Sequence, residues 1–353
     1  MEFKFRNVND AFRSLVTGFY DGSIPTRRSP SRVGEVLMVE EPVLVTYTHP
    51  QERVLFNRAR DCNPFFHLFE SLWMLAGRND VAPLLYYNPR MTDFSDDGET
   101  LNGAYGYRWR GLSSGFDQLF EIVRQLRADP QSRRCILSMW APGLDLFRKS
   151  KDKCCNTHAY FNLRGEKFDS NKHYYRGEPH RRFLDMTVCN RSNDLIWGML
   201  GTNVVHFSML QEYLAACIGV EVGVYRQFSN NLHVYTERWE PEKWLVDEVN
   251  GYGYFRTDIP FPLVAVPERF GREGARFVGS IDGAFEEPFL RDVAQPMMAA
   301  FRAHKQRKYR DDGNAIDLIN AVQADDWRIA GTAWLEQRKQ HWEDKSRASA
   351  SVE

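Results

Sequence analysis

The sequence predicts an α+β fold, and three segments carry that prediction. Asn63-Pro64 opens a helix, a capping residue followed by proline in the first turn, that is apolar around most of its circumference. It runs through Phe65, Phe66, Leu68, Phe69, Leu72, Trp73 and Leu75 to Gly77. Leu184, Met186 and Val188 alternate along a strand, and Val204 to Ile218 is a long apolar helix stopped by Gly219. Helices and strands otherwise follow no regular βαβ rhythm, so α+β is expected rather than α/β.

The remaining elements read as follows. Residues 1–19 form an amphipathic helix ending near Asp21-Gly22, and Gly34 to Tyr47 is a strand interrupted at Pro42. Phe116 to Leu126 is a second amphipathic helix, closed by Asp129-Pro130. Cys135–Trp140, Asn156–Arg164, Leu184–Asn190 and Leu232–Tyr235 are strands. Phe168 to Phe183 is polar, basic and aromatic, and reads as an insertion at a hairpin tip. From residue 284 onward the chain is charged and helix-rich.

The 353 residues, 43% of them hydrophobic and 26% charged, are enough to bury a large core without staples. A formal net charge of −1 argues against a dedicated nucleic-acid binder, whose footprint is a basic excess. No run of roughly eighteen apolar residues is present to span a membrane. The first residues mix acidic, basic and apolar side chains, unlike a signal peptide. Cysteines stand at 62, 135, 154, 155, 189 and 217 without C-x-x-C spacing, which suits an intracellular, cytoplasmic thiol enzyme.

A cysteine becomes a nucleophile when a neighbouring positive charge favours its thiolate. Arg133-Arg134 precede Cys155 by a strand and a loop, and Arg191-Ser192 follow on the next strand. Alone, such a thiol is usually buried and inert. His67, His158 and His206 show no metal-ligand spacing and read as structural, so no metal is expected.

Read together, the segments resemble the thymidylate synthase family and its relatives, the pyrimidine-nucleotide hydroxymethylases. Ser31-Arg32-Val33-Gly34 is similar to the family's phosphate loop, and Glu70-Ser-Leu-Trp73-Met-Leu-Ala-Gly77 to its acidic helix. Asn102-Gly-Ala-Tyr105-Gly-Tyr-Arg-Trp109-Arg110 and Asp129-Pro-Gln-Ser-Arg133-Arg134 follow in family order. Arg191-Ser192-Asn193-Asp194 and His233-Val234-Tyr235 complete the series.

The resemblance implies a bent, mostly antiparallel sheet flanked by helices, paired sheet to sheet in a homodimer. Residues 1–260 would be the catalytic domain and 261–353 a helical extension. Arg32, Arg191 and Ser192 would hold the nucleotide phosphate, with Arg133 and Arg134 donated by the other subunit, because guanidinium forks match phosphate oxygens. His233 and Tyr235 would bind the sugar, Asn203 the base edge and Asp194 the folate pterin. Glu70 would move protons, Tyr105 would assist near the nucleophile, and Cys155 would add at carbon 6 of the pyrimidine. The one-carbon donor implied is 5,10-methylenetetrahydrofolate.

Departures from the pattern leave alternatives open. Cys154 stands where the family often has proline; Cys155-Asn-Thr-His favours Cys155, while the Cys-x-Asn-Thr pattern of some hydroxymethylases would select Cys154. Met91 and Phe94 replace the tryptophans that stack on folate, and a charged helical stretch stands in place of the short apolar tail that closes over the site. Both favour capture of the activated carbon by water, giving a 5-hydroxymethyl nucleotide, over reduction to methyl. Asn203 lies one residue beyond the usual spacing from Arg191; an asparagine amide can face a base either way, and dCMP is favoured over dUMP. Thymidylate synthesis, and a non-catalytic nucleotide- or RNA-binding protein of the same fold, are the competing readings.

Overall fold

The computed structural model describes residues 1–111, 116–165, 181–246, 260–306 and 313–350. In chain order these form β1 (Glu2–Phe5), α1 (Val8–Tyr20), β2 (Thr26–Ser31), β3 (Gly34–Val39), β4 (Val43–Tyr47), α2 (Pro64–Leu75), α3 (Ala82–Leu85), α4 (Tyr105–Arg110) and α5 (Gln118–Ala128). There follow β5 (Ile136–Ser138), α6 (Pro142–Asp145), β6 (Asn156–Gly165), β7 (Arg182–Asn190), β8 (Asn193–Asp194), α7 (Asn203–Ile218), β9 (Glu221–Ser229) and β10 (Leu232–Tyr235). Helices α8 (Pro241–Val246), α9 (Pro267–Gly279), α10 (Gln295–Gln306), α11 (Gly313–Ile319) and α12 (Asp325–Ala350) come last.

The first nineteen residues are not one helix. Residues 2–5 instead pair with β4, and the Asn7 side chain accepts from the Asn9 and Asp10 backbone N–H groups to start α1. The strand is favoured because it extends the sheet edge while Asn7 satisfies the orphan donors of the helix that follows.

Among the described residues the strands make two sheets. One is six-stranded in the order β1-β4-β9-β7-β6-β5, the other four-stranded in the order β2-β3-β10-β8. Most pairings are antiparallel; β1/β4, β7/β9 and β8/β10 are parallel. Register slips at Asn156/His158 and Leu184/Met186, the local irregularities that bend strands. The fold is therefore the α+β arrangement expected. The proposed hairpin insertion lies largely outside the described residues.

Helices α2 and α7 form the centre of the core. In α2 every residue except His67 is buried, so an acidic side chain there, Glu70, sits deep in apolar surroundings. Asn63 caps α2 by accepting from the Phe66 N–H at 3.1 Å. Gly219, with φ of +86°, closes α7 in a left-handed turn that suits glycine. On the outer side of α2, Phe65 packs 5.3 Å from the ring of Phe301 in α10 and 5.4 Å from Trp334 in α12.

Candidate active site

The loop between α6 and β6 delivers two adjacent thiols to different surroundings. Cys154 is 1% exposed, its Sγ lies 3.6 Å from the Gly103 carbonyl, and burial pushes its thiol up to about 12. Cys155 is partly exposed and faces Arg191. The Arg191 guanidinium is fixed by donating to the Cys154 carbonyl at 2.9 Å and the Lys153 carbonyl at 3.1 Å, which leaves Nη2 3.5 Å from Cys155 Sγ. Burial raises the Cys155 thiol, and the Arg191 charge pulls it back. The Arg108 charge also opposes the rise at Cys154, but among the described residues it is the Cys155 sulfur that a guanidinium nitrogen touches.

Tyr105, at the start of α4, accepts through Oη from the backbone N–H of Cys155 at 3.1 Å and of Asn156 at 3.3 Å. Burial, then the adjacent cysteines, holds its phenol well above the usual range, so it remains protonated. The phenol fixes the backbone that carries Cys155.

Asp194 follows on β8. Its Oδ1 accepts from Ile196 N–H at 2.8 Å and Trp197 N–H at 2.6 Å, capping a π-helical segment, Leu195–Thr202. Burial raises its carboxyl, opposed by those backbone donors and by His233. His233 is buried, with Nδ1 3.0 Å from Asn231 Oδ1, and its ring stands perpendicular to Tyr235 at 5.3 Å. Burial raises the Tyr235 phenol, reinforced by Asp194 and Cys155 and opposed by Arg32. Strand β10 pairs with β3 on one side and β8 on the other, which sets Tyr235 between the β2–β3 turn and Asp194.

Arg32 is exposed on the β2–β3 turn, which Ser31 shapes by donating to the Gly34 carbonyl at 2.6 Å. Ser192 is half-buried on the turn after β7. Asn203, the first residue of α7, is buried and bridges two other amides: Oδ1 accepts from Asn156 at 3.3 Å and Nδ2 donates to Asn193 at 3.0 Å. Arg133 and Arg134 stand apart, both exposed, lining a cavity of about 740 Å³ with Arg124 and Asp129. Within one chain they are not among the groups around Cys155.

Two further residues join the site: His206, which the sequence reading took as structural, and Arg60, which it did not single out. His206 does not act as packing alone: its Nε2 lies 3.1 Å from Glu70 Oε2, across the α2–α7 contact. It follows Asn203 by one helical turn, so both project from the same face of α7. Arg60 lies 3.9 Å over the Trp197 ring and donates to the Ile196 carbonyl at 3.2 Å, a cation and an aromatic side by side. Neither neighbours its partner in sequence, and only the fold pairs them.

The thymidylate synthase family model matches residues 59–249, the segment containing Glu70, Tyr105, both thiols, Arg191, Asp194, Asn203, His233 and Tyr235. The deoxyuridylate hydroxymethyltransferase of Pseudomonas phage M6 is 44% identical over 353 residues, covering 96% of this chain and 95% of that protein. That of Bacillus phage SP01 is 39% identical over 233 residues, covering 63% and 55%. That of Delftia phage PhiW-14 is 28% identical over 199 residues, covering 53% and 50%. With its motifs in order, its thiol beside an arginine and one relative matched almost end to end, the chain belongs to the thymidylate synthase family, on the branch that holds these phage proteins.

Proposed function

We propose that the protein is a one-carbon transferase that hydroxymethylates carbon 5 of a pyrimidine deoxynucleoside monophosphate, dUMP, through a Cys155 adduct. The observation that carries the proposal is Arg191, held by two backbone carbonyls with Nη2 at the Cys155 sulfur. A fixed cation there favours the thiolate and remains available to the nucleotide phosphate. The sequence preference for dCMP gives way to dUMP because the phage relatives carry the deoxyuridylate name.

In this reading Cys155 adds to carbon 6, and the ring electrons move toward the carbon 4 oxygen, so carbon 5 becomes nucleophilic. The tetrahydrofolate donor supplies one carbon at the methylene level. Asp194 would hold the pterin, consistent with a carboxylate whose two cap bonds both use Oδ1, and Trp197, 49% exposed beneath Arg60, offers a flat surface next to it. Carbon 5 bonds the donated carbon. Loss of the carbon 5 proton then breaks the carbon–nitrogen bond, releases tetrahydrofolate and leaves an exocyclic methylene. Water adds to it, giving up a proton toward Glu70. The electron pair returns through the ring and expels the thiolate. Arg32, Arg191 and Ser192 hold the phosphate, and His233 with Tyr235 the sugar.

A homodimer completes the proposal. The outer face of the six-stranded sheet exposes Ile136 (46%) and Tyr160 (45%), an apolar pair suited to a second copy, and the exposed Arg133 and Arg134 would reach the partner's phosphate site. The test is incubation with dUMP or dCMP and methylenetetrahydrofolate, followed by mass measurement of the nucleotide. A 5-hydroxymethyl product is expected. A methyl product with dihydrofolate would instead assign thymidylate synthesis.

A further inference from the structure

Asn203 does not stand alone in the floor of the site. Gln227 in β9 donates through Nε2 to the Met199 backbone carbonyl at 3.0 Å. A carbonyl can only accept, so this bond fixes which end of the Gln227 amide faces which way. Its Oε1 then faces Asn193, whose Nδ2 donates to it at 3.3 Å and to Ser229 Oγ at 3.0 Å. That leaves Asn193 Oδ1 as the acceptor for Asn203 Nδ2 at 3.0 Å. Donor and acceptor sense is thereby transmitted from one peptide carbonyl through two amides to Asn203.

The relay is closed to water. Asn193 is 2% exposed, and Gln227 and Ser229 are fully buried. Gly198 backs onto its last link: a Cβ there would lie 2.6 Å from Asn193 Oδ1 and 3.2 Å from Asn203 Nδ2. Turning Asn203 over would set two amide oxygens face to face at 3.0 Å with no water to relieve them. Asn156 on the other side offers no such resistance. Its Oδ1 has no partner among the described residues, so it can turn together with Asn203. The lock lies at Asn193.

We propose that the Met199–Gln227–Asn193 relay holds the Asn203 carboxamide one way round and makes Asn193 and Gln227 specificity-determining residues for the base. Uracil presents an acceptor at position 4 and a donor at position 3; cytosine presents the reverse. A carboxamide free to turn serves both, whereas a fixed one serves one base and leaves the other facing like against like. The choice of uracil rests on the reading above; the one-way amide does not.

The test measures dUMP and dCMP dissociation constants by calorimetry, and kcat/KM for each, in wild type, Asn193→Leu and Gln227→Met. The wild type is expected to prefer dUMP strongly, and each variant to narrow the preference about tenfold or more, because mispairing at Asn203 no longer forces two buried oxygens together. A purely structural role would weaken both nucleotides in parallel. An unchanged ratio, or a wild type that binds both bases equally, overturns the relay. If Asn193→Leu does not fold, Gln227→Met decides alone. Selective dUMP binding without a hydroxymethyl product sinks the proposed reaction and spares the relay; the product without selectivity does the opposite.

Discussion

His206 Nε2 on α7 stands 3.1 Å from Glu70 Oε2 on α2, yet the two atoms are not aligned for a hydrogen bond and neither has another partner among the described residues. The imidazole and the carboxylate face each other across the α2–α7 contact, and a small rotation would bring them into a hydrogen bond. We predict that His206→Leu lowers kcat by about a hundredfold, within the range of lost acid–base assistance, with KM nearly unchanged. His206→Gln, which keeps a donor toward Glu70, should recover part of the loss. Equal falls for Leu and Gln in steady-state assays would assign His206 to packing.

The two thiols should separate cleanly. Cys155→Ser is expected to abolish turnover while nucleotide still binds, and Cys154→Ser to retain most activity, since Cys154 points at the Gly103 carbonyl. Because burial raises the Cys155 thiol, its thiolate fraction grows as pH climbs from neutrality through the ordinary thiol range and beyond. Iodoacetamide labelling of Cys155, followed by peptide mass spectrometry, should accelerate over that interval. Arg191→Met, which removes the cation, should shift the curve to still higher pH.

Asp326, in the first turn of α12, is buried near the Arg53–Glu212 ion pair, and burial lifts its carboxyl from 3.8 to about 6. A folded-state value above the unfolded one means the folded chain binds the extra proton. The contribution is complete below pH ~4 and is lost as pH rises through about 6. Asp326→Asn keeps an oxygen for the Trp327 N–H, so it should stabilise the protein at pH 7.5, by roughly 1–2 kcal/mol. Urea midpoints taken across that window should flatten in the variant; an unaltered slope would refute the assignment.

Arg133 and Arg134 provide a complementation test. Arg133→Ala/Arg134→Ala and Cys155→Ala should each be inactive as homodimers. Mixed after partial unfolding and refolding, they are expected to regain activity, because one heterodimer site receives both its thiol and its arginines. No recovery in the mixture would confine those arginines to their own chain.

The sequence made the motif-bearing residues legible because each lies in a short contiguous signature: Glu70 on an apolar helix, Arg191 beside Ser192, His233 two residues from Tyr235. The strand alternation at Leu184–Val188 and the glycine stop at 219 were likewise local. The Glu70–His206 approach was not legible, since 136 residues separate groups that meet only when α2 packs on α7; the same distance applies to Arg60 and its acceptor, the Ile196 carbonyl. Burial separated Cys154 from Cys155, a distinction that spacing leaves open. The misread start of the chain has a comparable cause, because β1 exists through pairing with β4 rather than through its own periodicity.

Helix α2 presents Glu70 to the site, while its Phe65 rests on Trp334 and Phe301. The order of synthesis therefore matters. A ribosome has translated every residue of the motif series before it reaches Phe301 and Trp334, so α2 leaves the exit tunnel with its outer face bare. Burial of that face waits on residues translated later, so chaperone demand should fall on the interval before Trp334 emerges.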